Sequence, residues 1–182
     1  FDFTQGDAAN NGQVETVAFL RNDYIRIYGP SGQVAWESDE LYGGSRLFFF
    51  FFYVELTKST NVVNSSGRKL AKYYLPQRIH ITDIDGDGLN EIIIVKNYDG
   101  DGGIFSRIKS FKEGRIDCLS YDEIGIQRKW QTRNIAGYIS DYVIGDLNND
   151  GTNEIVLSSV AKGKTAFSKG RSYILSVVPK TE

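Results

Sequence analysis

The chain has 182 residues, a formal net charge of −2, 13% aromatic residues and a single cysteine, Cys118. That length can bury a sizeable core, as one domain or as a piece of a larger one. Near-balanced charge argues against a nucleic-acid footprint, one cysteine excludes an internal disulfide, and no apolar window reaches the ~18 residues of a membrane span.

In chain order, "VETVAFL" (14–20), "YIRIY" (24–28) and "QVAWES" (33–38) read as strands, rich in β-branched and aromatic residues between glycine, asparagine and aspartate breaks. The segment "SRLFFFFFYVELTKSTNVVNSSGRKLAKYYLP" then sets two apolar arms around the polar turn "NSSG", which predicts an extended β-hairpin at about 44–75. Further strands follow at "RIHITD" (78–83), "EIIIVKN" (91–97), "RIDCLSY" (115–121), "YVIGD" (142–146), "EIVLSSV" (154–160) and "SYILSVV" (172–178). Helical periodicity is scarce, so an all-β sandwich, barrel or propeller is expected. The basic run Arg107, Lys109, Lys112 and Arg115 alternates with apolar residues and reads as a solvated strand face. No signal-peptide pattern opens the chain, which starts at Phe1 and has no methionine. A processed or cropped product is expected, its targeting information removed.

An internal repeat narrows the fold. Asp83-Ile-Asp85-Gly-Asp87-Gly88-Leu89-Asn-Glu91 matches Asp146-Leu-Asn148-Asn-Asp150-Gly151-Thr152-Asn-Glu154, and a fainter copy is Asp7-Ala-Ala9-Asn-Asn11-Gly12-Gln13-Val-Glu15. Each copy runs from its glutamate into an apolar stretch, and the starts lie 76 and 63 residues apart. Trp36 and Trp130 recur after the first and second copies, at offsets from the next copy that differ by 31 residues, the length of an insertion between Glu37 and Thr82. The units are therefore about 1–40, 76–134 and 135–182.

The second and third loops carry oxygen side chains at positions 1, 3 and 5, glycine at 6 and glutamate at 9. Hard cations such as calcium take six to eight oxygens at about 2.3–2.6 Å, and alternating ligands on a tight loop converge on one point. The candidate ligands are Asp83, Asp85, Asp87, the Leu89 carbonyl and Glu91, then Asp146, Asn148, Asp150, Thr152 and Glu154. No thiolate or histidine joins them, which disfavours zinc and copper. An EF-hand is excluded, because its closing acid stands at position 12, where these copies have Ile94, Leu157 and Ala18. Carboxylates at positions 1, 3, 5 and 9 number four, three and two in the second, third and first loops. The expected affinity order is 83–91, then 146–154, then 7–15. The last, with Asp7, Asn11, Gln13 and Glu15 around a non-ligating Ala9, is expected to be weak or empty.

"DIDGDGLNEIIIV" and "DLNNDGTNEIVLS" resemble the calcium loops of FG-GAP/VCBS-type β-propeller repeats of bacterial secreted proteins and, more distantly, of integrin α-subunits. The resemblance implies that each loop joins the first two strands of a four-stranded antiparallel blade, with Ca²⁺ as the cofactor. The Phe-Gly and Gly-Ala-Pro elements are not recognisable, the nearest being "YGP" at 28–30, so integrin-like ligand recognition is not carried over. About three blades are expected, part of a larger propeller, since closed propellers take four to eight.

His80 is expected as a strand residue that could face the propeller axis, and Cys118 as a small half-buried one, unless the fold joins them as a nucleophile and base. Asp99 and Asp101 lack a closing acid and read as a hairpin turn. Trp36 and Trp130 read as packing residues rather than carbohydrate platforms. Phe48 to Phe52 make both faces of a strand apolar, so neighbouring blades or another chain should cover them. The expected function is a non-catalytic, calcium-stabilised module binding protein or glycan, extracellular, cell-surface or periplasmic. The alternative is the propeller portion of a secreted hydrolase or polysaccharide lyase.

Overall fold

The computed structural model describes residues 2–54, 68–99, 110–122, 124–161 and 169–179, side chains of 51–54, 68–70 and 99 apart. The turn "NSSG", Asp101, Arg107 and Lys109 lie outside the described residues. Among the described residues the secondary structure is all strand, and no helix is long and apolar enough to cross a membrane.

The strands in chain order are β1 (Phe3–Gly6), β2 (Glu15–Phe19), β3 (Ile25–Tyr28), β4 (Val34–Glu37), β5 (Phe48–Val54), β6 (Arg68–Tyr74), β7 (Ile79–Thr82), β8 (Glu91–Asp99), β9 (Phe111–Tyr121), β10 (Ile126–Gln131), β11 (Ile135–Ala136), β12 (Tyr138–Gly145), β13 (Glu154–Ala161) and β14 (Arg171–Val177). They pair as antiparallel meanders, β1-β2-β3-β4, then β7-β8-β9-β10 with β11 added on β9, then β12-β13-β14. The β5–β6 hairpin forms its own two-stranded sheet, from Phe48 opposite Tyr74 to Val54 opposite Arg68.

Two aliphatic layers hold the sheets face to face. One gathers Val17, Phe19, Ile25 and Ile27 of the first sheet with Ile79, Ile92, Ile94 and Leu119 of the second. The other gathers Ile93, Val95, Ile116 and Cys118 of the second with Ile139, Tyr142, Ile155 and Leu157 of the third. Successive side chains of a strand point to opposite faces. That is why β8 is solidly apolar: Ile92 and Ile94 enter one layer, Ile93 and Val95 the other. At about 1.5–3 kcal/mol for each such side chain buried, the layers outweigh any single loop in stability. Trp36 packs against the first layer and Trp130 against the second, as packing residues.

Three strand-face details depart from the sequence expectation. Arg115 is not solvated: its guanidinium grips the fully buried Asp117 at 2.6 Å and 3.0 Å. Cys118 is fully rather than half buried, between the second and third sheets. Phe48, Phe49 and Phe50 stay exposed on the hairpin, Phe48 edge-on to Tyr74 and Phe49 tilted against Tyr73 across the pair, with the Lys72 ammonium 3.8 Å from the Phe48 ring.

Candidate metal centre

Each acidic loop connects the first two strands of its sheet, β1 to β2, β7 to β8 and β12 to β13. The three have the same internal wiring. The position-1 aspartate accepts the position-5 amide on Oδ1, at 2.9 Å for Asp7, 3.1 Å for Asp83 and 3.1 Å for Asp146. Its Oδ2 accepts the position-6 glycine amide, from Gly12, Gly88 and Gly151, at 2.8–2.9 Å. The position-5 side chain caps the position-7 amide, from Gln13, Leu89 and Thr152. Finally, Oε2 of the glutamate takes the position-2 amide, Glu15 from Ala8, Glu91 from Ile84 and Glu154 from Leu147, at 2.7–3.1 Å.

Backbone conformation explains the residue choice. Position 6 has φ of 82°, 88° and 89°, where glycine avoids the Cβ penalty. Position 4 is also left-handed, at Asn10 (55°), Gly86 (79°) and Asn149 (59°), residues that tolerate that region. Two left-handed steps turn the chain sharply enough to gather side-chain oxygens on its inner side.

What the oxygens meet differs from loop to loop. In 146–154, carboxylate oxygens of Asp146, Asp150 and Glu154 lie within 4.8 Å of one another. Asn148 closes the ring, with Nδ2 donating to Asp150 Oδ2 at 2.9 Å and Glu154 Oε1 at 2.8 Å. Turning that amide over aims its oxygen at the same spot, so this loop fits a hard cation with four side chains and the Thr152 carbonyl as candidate donors. The Thr152 amide and the Asn148 amide hold the Asp150 carboxyl below the usual range.

In 83–91, oxygens of Asp83, Asp85 and Asp87 also gather within 4.8 Å. The spot where the third loop has its own Asn148 amide is taken here by the Lys129 ammonium from β10. It lies 2.8 Å from Glu91 Oε1, 3.0 Å from Asp87 Oδ2 and 3.2 Å from Asp85 Oδ2. The hydrogen bond to Glu91 leads the causes that raise the Lys129 ammonium's pKa far above its ordinary value. Burial pushes Glu91 upward, partly offset by Lys129 and the Ile84 amide. The Leu89 amide, then Lys129, hold Asp87 low.

Loop 7–15 gathers no such group among the described residues. Glu15 Oε2 is shared by the Ala8 and Ala9 amides at 2.9 Å and 3.3 Å. The loop instead docks on its neighbour: Asn10 accepts the Asn90 amide at 2.6 Å and donates to the Asn90 carbonyl at 3.1 Å, while the Asn90 side chain donates to the Asp7 carbonyl at 3.0 Å. Neither this clasp nor Lys129 was read from the sequence. For the clasp, the paired asparagines at positions 4 and 8 were the available signal.

The nucleophile–base pairing of Cys118 and His80 is absent. Burial pushes the Cys118 thiol up to about 12, so it carries no thiolate at neutral pH. Among the described residues His80 Nε2 has no hydrogen-bond partner, and its ring stands edge-on to Tyr142 at 5.1 Å. No protein-family model, curated protein or solved structure matches the chain.

Proposed function

We propose that this chain is a calcium-stabilised segment of a β-propeller of the FG-GAP/VCBS type, working as a non-catalytic binding or scaffolding module outside the cell or at its surface. The observation that carries this reading is the shared wiring of three loops, each between the first and second strands of a meander, with carboxylates converging in 146–154. A polar turn needs no such convergence of carboxylates, which loops 83–91 and 146–154 both have; a ligated cation does.

The sheet arrangement supports the propeller. The first two sheets each have a four-stranded meander, and first strands meet in succession: a side chain at Gly6 of β1 would touch Ile81 of β7, and His80 of β7 stands edge-on to Tyr142 of β12. First strands in sequence around an axis are what radial repetition produces. The far face of the third sheet leaves Val143 and Ile174 exposed, as suits a blade face with a further blade or a protein partner upon it. The exposed Phe48–Phe50 arm is a second apolar surface of the same kind. Calcium sites with a Kd of about 10⁻⁴ M fill where free calcium is high, which argues for an extracellular, surface or periplasmic setting.

The test is thermal unfolding with and without chelator. For a site of that affinity, 1 mM calcium adds about 1.4 kcal/mol, or roughly 3–6 °C for a chain of this size. Asp150→Ala should remove most of that response. A melt indifferent to EDTA and to added calcium sinks the calcium reading.

A further inference from the structure

We propose that Lys129 is a tethered cation that fills loop 83–91 and competes there with calcium, making the loop richest in carboxylates a weaker calcium site than loop 146–154. The competition rests on the calcium reading above; the seating of the ammonium does not.

The strand geometry delivers Lys129 to the loop. β10 pairs with β9 at Arg128 opposite Leu119 and next at Trp130 opposite Cys118, so Lys129 is the extra residue of a β-bulge. Bulges break side-chain alternation and re-aim what they carry. Arg128 accordingly turns to Glu40 and Asp117, whereas Trp130 packs into the layer on the other face. Lys129, between them, reaches back across the sheet to three carboxylates.

The seat matches an ammonium. Lysine offers three N–H donors and no acceptor, and Nζ meets Asp85, Asp87 and Glu91 at 2.8–3.2 Å. Glu91 is 1% exposed, and a buried carboxylate without a partner is costly. Among the described residues, the equivalent oxygens of Asp150 and Glu154 in loop 146–154 are met only by the neutral amide of Asn148. Nothing positive among the described residues has to leave before a cation enters that loop. In 83–91 calcium must first displace the ammonium, and with Lys129 already 26% exposed its long stem can carry Nζ out to water. Loop 83–91 is thus closed on an internal charge at low calcium and exchanges it at high calcium, releasing its tie to β10.

Calcium titration calorimetry and melting curves on the chain and on Lys129→Met test both halves, with Lys129→Gln as the milder variant should methionine impair folding. In EDTA, Lys129→Met should melt several degrees below the parent, and millimolar calcium should close that gap. The parent should show one calcium site and a second at least tenfold weaker; Lys129→Met should bring the second to within a few-fold of the first, and adding Asp87→Asn should abolish it. Equal melting of parent and variant in EDTA overturns the tethered cation. Unchanged calcium stoichiometry and affinity in Lys129→Met overturns the competition. If loop 146–154 still binds in that case, the calcium reading survives without Lys129; if neither protein binds calcium, that reading falls as well.

Discussion

Loops 83–91 and 146–154 have nearly superposable wiring and opposite electrostatic solutions. In both, the glutamate holds the position-2 amide and the first aspartate holds the glycine amide. One loop carries four carboxylates and draws an ammonium from a strand two positions across its sheet. The other carries three and bridges two of them with its own asparagine. If Lys129 competes with calcium as proposed, carboxylate count alone does not rank such loops, because the occupant of the cation position also sets what a metal must displace.

The largest expected effect separates the two glutamates. Glu91→Ala strips the Ile84 amide of its acceptor and takes from Lys129 its shortest and most buried ion pair, leaving it Asp85 and Asp87, so it should cost about 2–4 kcal/mol in EDTA. Glu154→Ala loses the Leu147 amide's acceptor and one contact to a neutral amide, about 1–2 kcal/mol. Denaturant unfolding of the two variants measures the difference. Equal costs would mean that the ammonium adds nothing to its loop.

A smaller effect should follow from making the third loop more like the second. Asn148→Asp supplies a fourth carboxylate without a lysine, turning two amide donations at 2.8–2.9 Å into oxygen–oxygen repulsion. In EDTA the variant should lose about 0.5–1 kcal/mol, and calcium should bind about tenfold more tightly. If it instead stays as stable in EDTA as the parent, the three side chains do not converge closely enough to feel one another.

Much of this arrangement was legible from residue pattern, and what was missed has physical causes. All nine strands read from the chain formed, because β-branched runs between glycine and asparagine breaks have no competing helical period. Phe48 through Val54 paired with Arg68 through Tyr74, as the two apolar arms suggested. β1 (Phe3–Gly6) and β11 (Ile135–Ala136) escaped notice, being too short and too polar or glycine-bounded to show alternation. β10 (Ile126–Gln131) served only as a landmark through Trp130, since most of its side chains stay partly exposed. The nine-residue loop pattern gave the carboxylates and the position-6 glycine, whereas the left-handed position 4 was hidden behind an Asn/Gly choice that also suits any turn. Lys129 was invisible for a stronger reason: it lies 38 residues beyond Glu91, and its aim depends on a bulge that pairing alone creates.

The smallest effect probes whether the two loops are linked through the strands that feed them. β7 leads into 83–91 and β12 into 146–154, and they touch where His80 stands edge-on to Tyr142. Tyr142 is anchored by donating its hydroxyl to the Ile93 carbonyl at 2.6 Å. Burial, then the nearby Arg78 charge, holds the His80 pKa below its ordinary 6.5. The unfolded chain thus binds a proton that the folded one resists, so the stability tied to neutral His80 is complete above pH 6.5 and lost as pH falls toward the depressed folded value. Between about pH 7.5 and 5.5, before most carboxylates titrate, the calcium-free chain should lose stability, and His80→Phe should flatten that slope. Because the strain falls on the contact between the second and third sheets, both loops should weaken in calcium affinity across this window. A drop confined to 83–91 would show that the two sites respond independently and that the His80–Tyr142 contact carries no coupling between them.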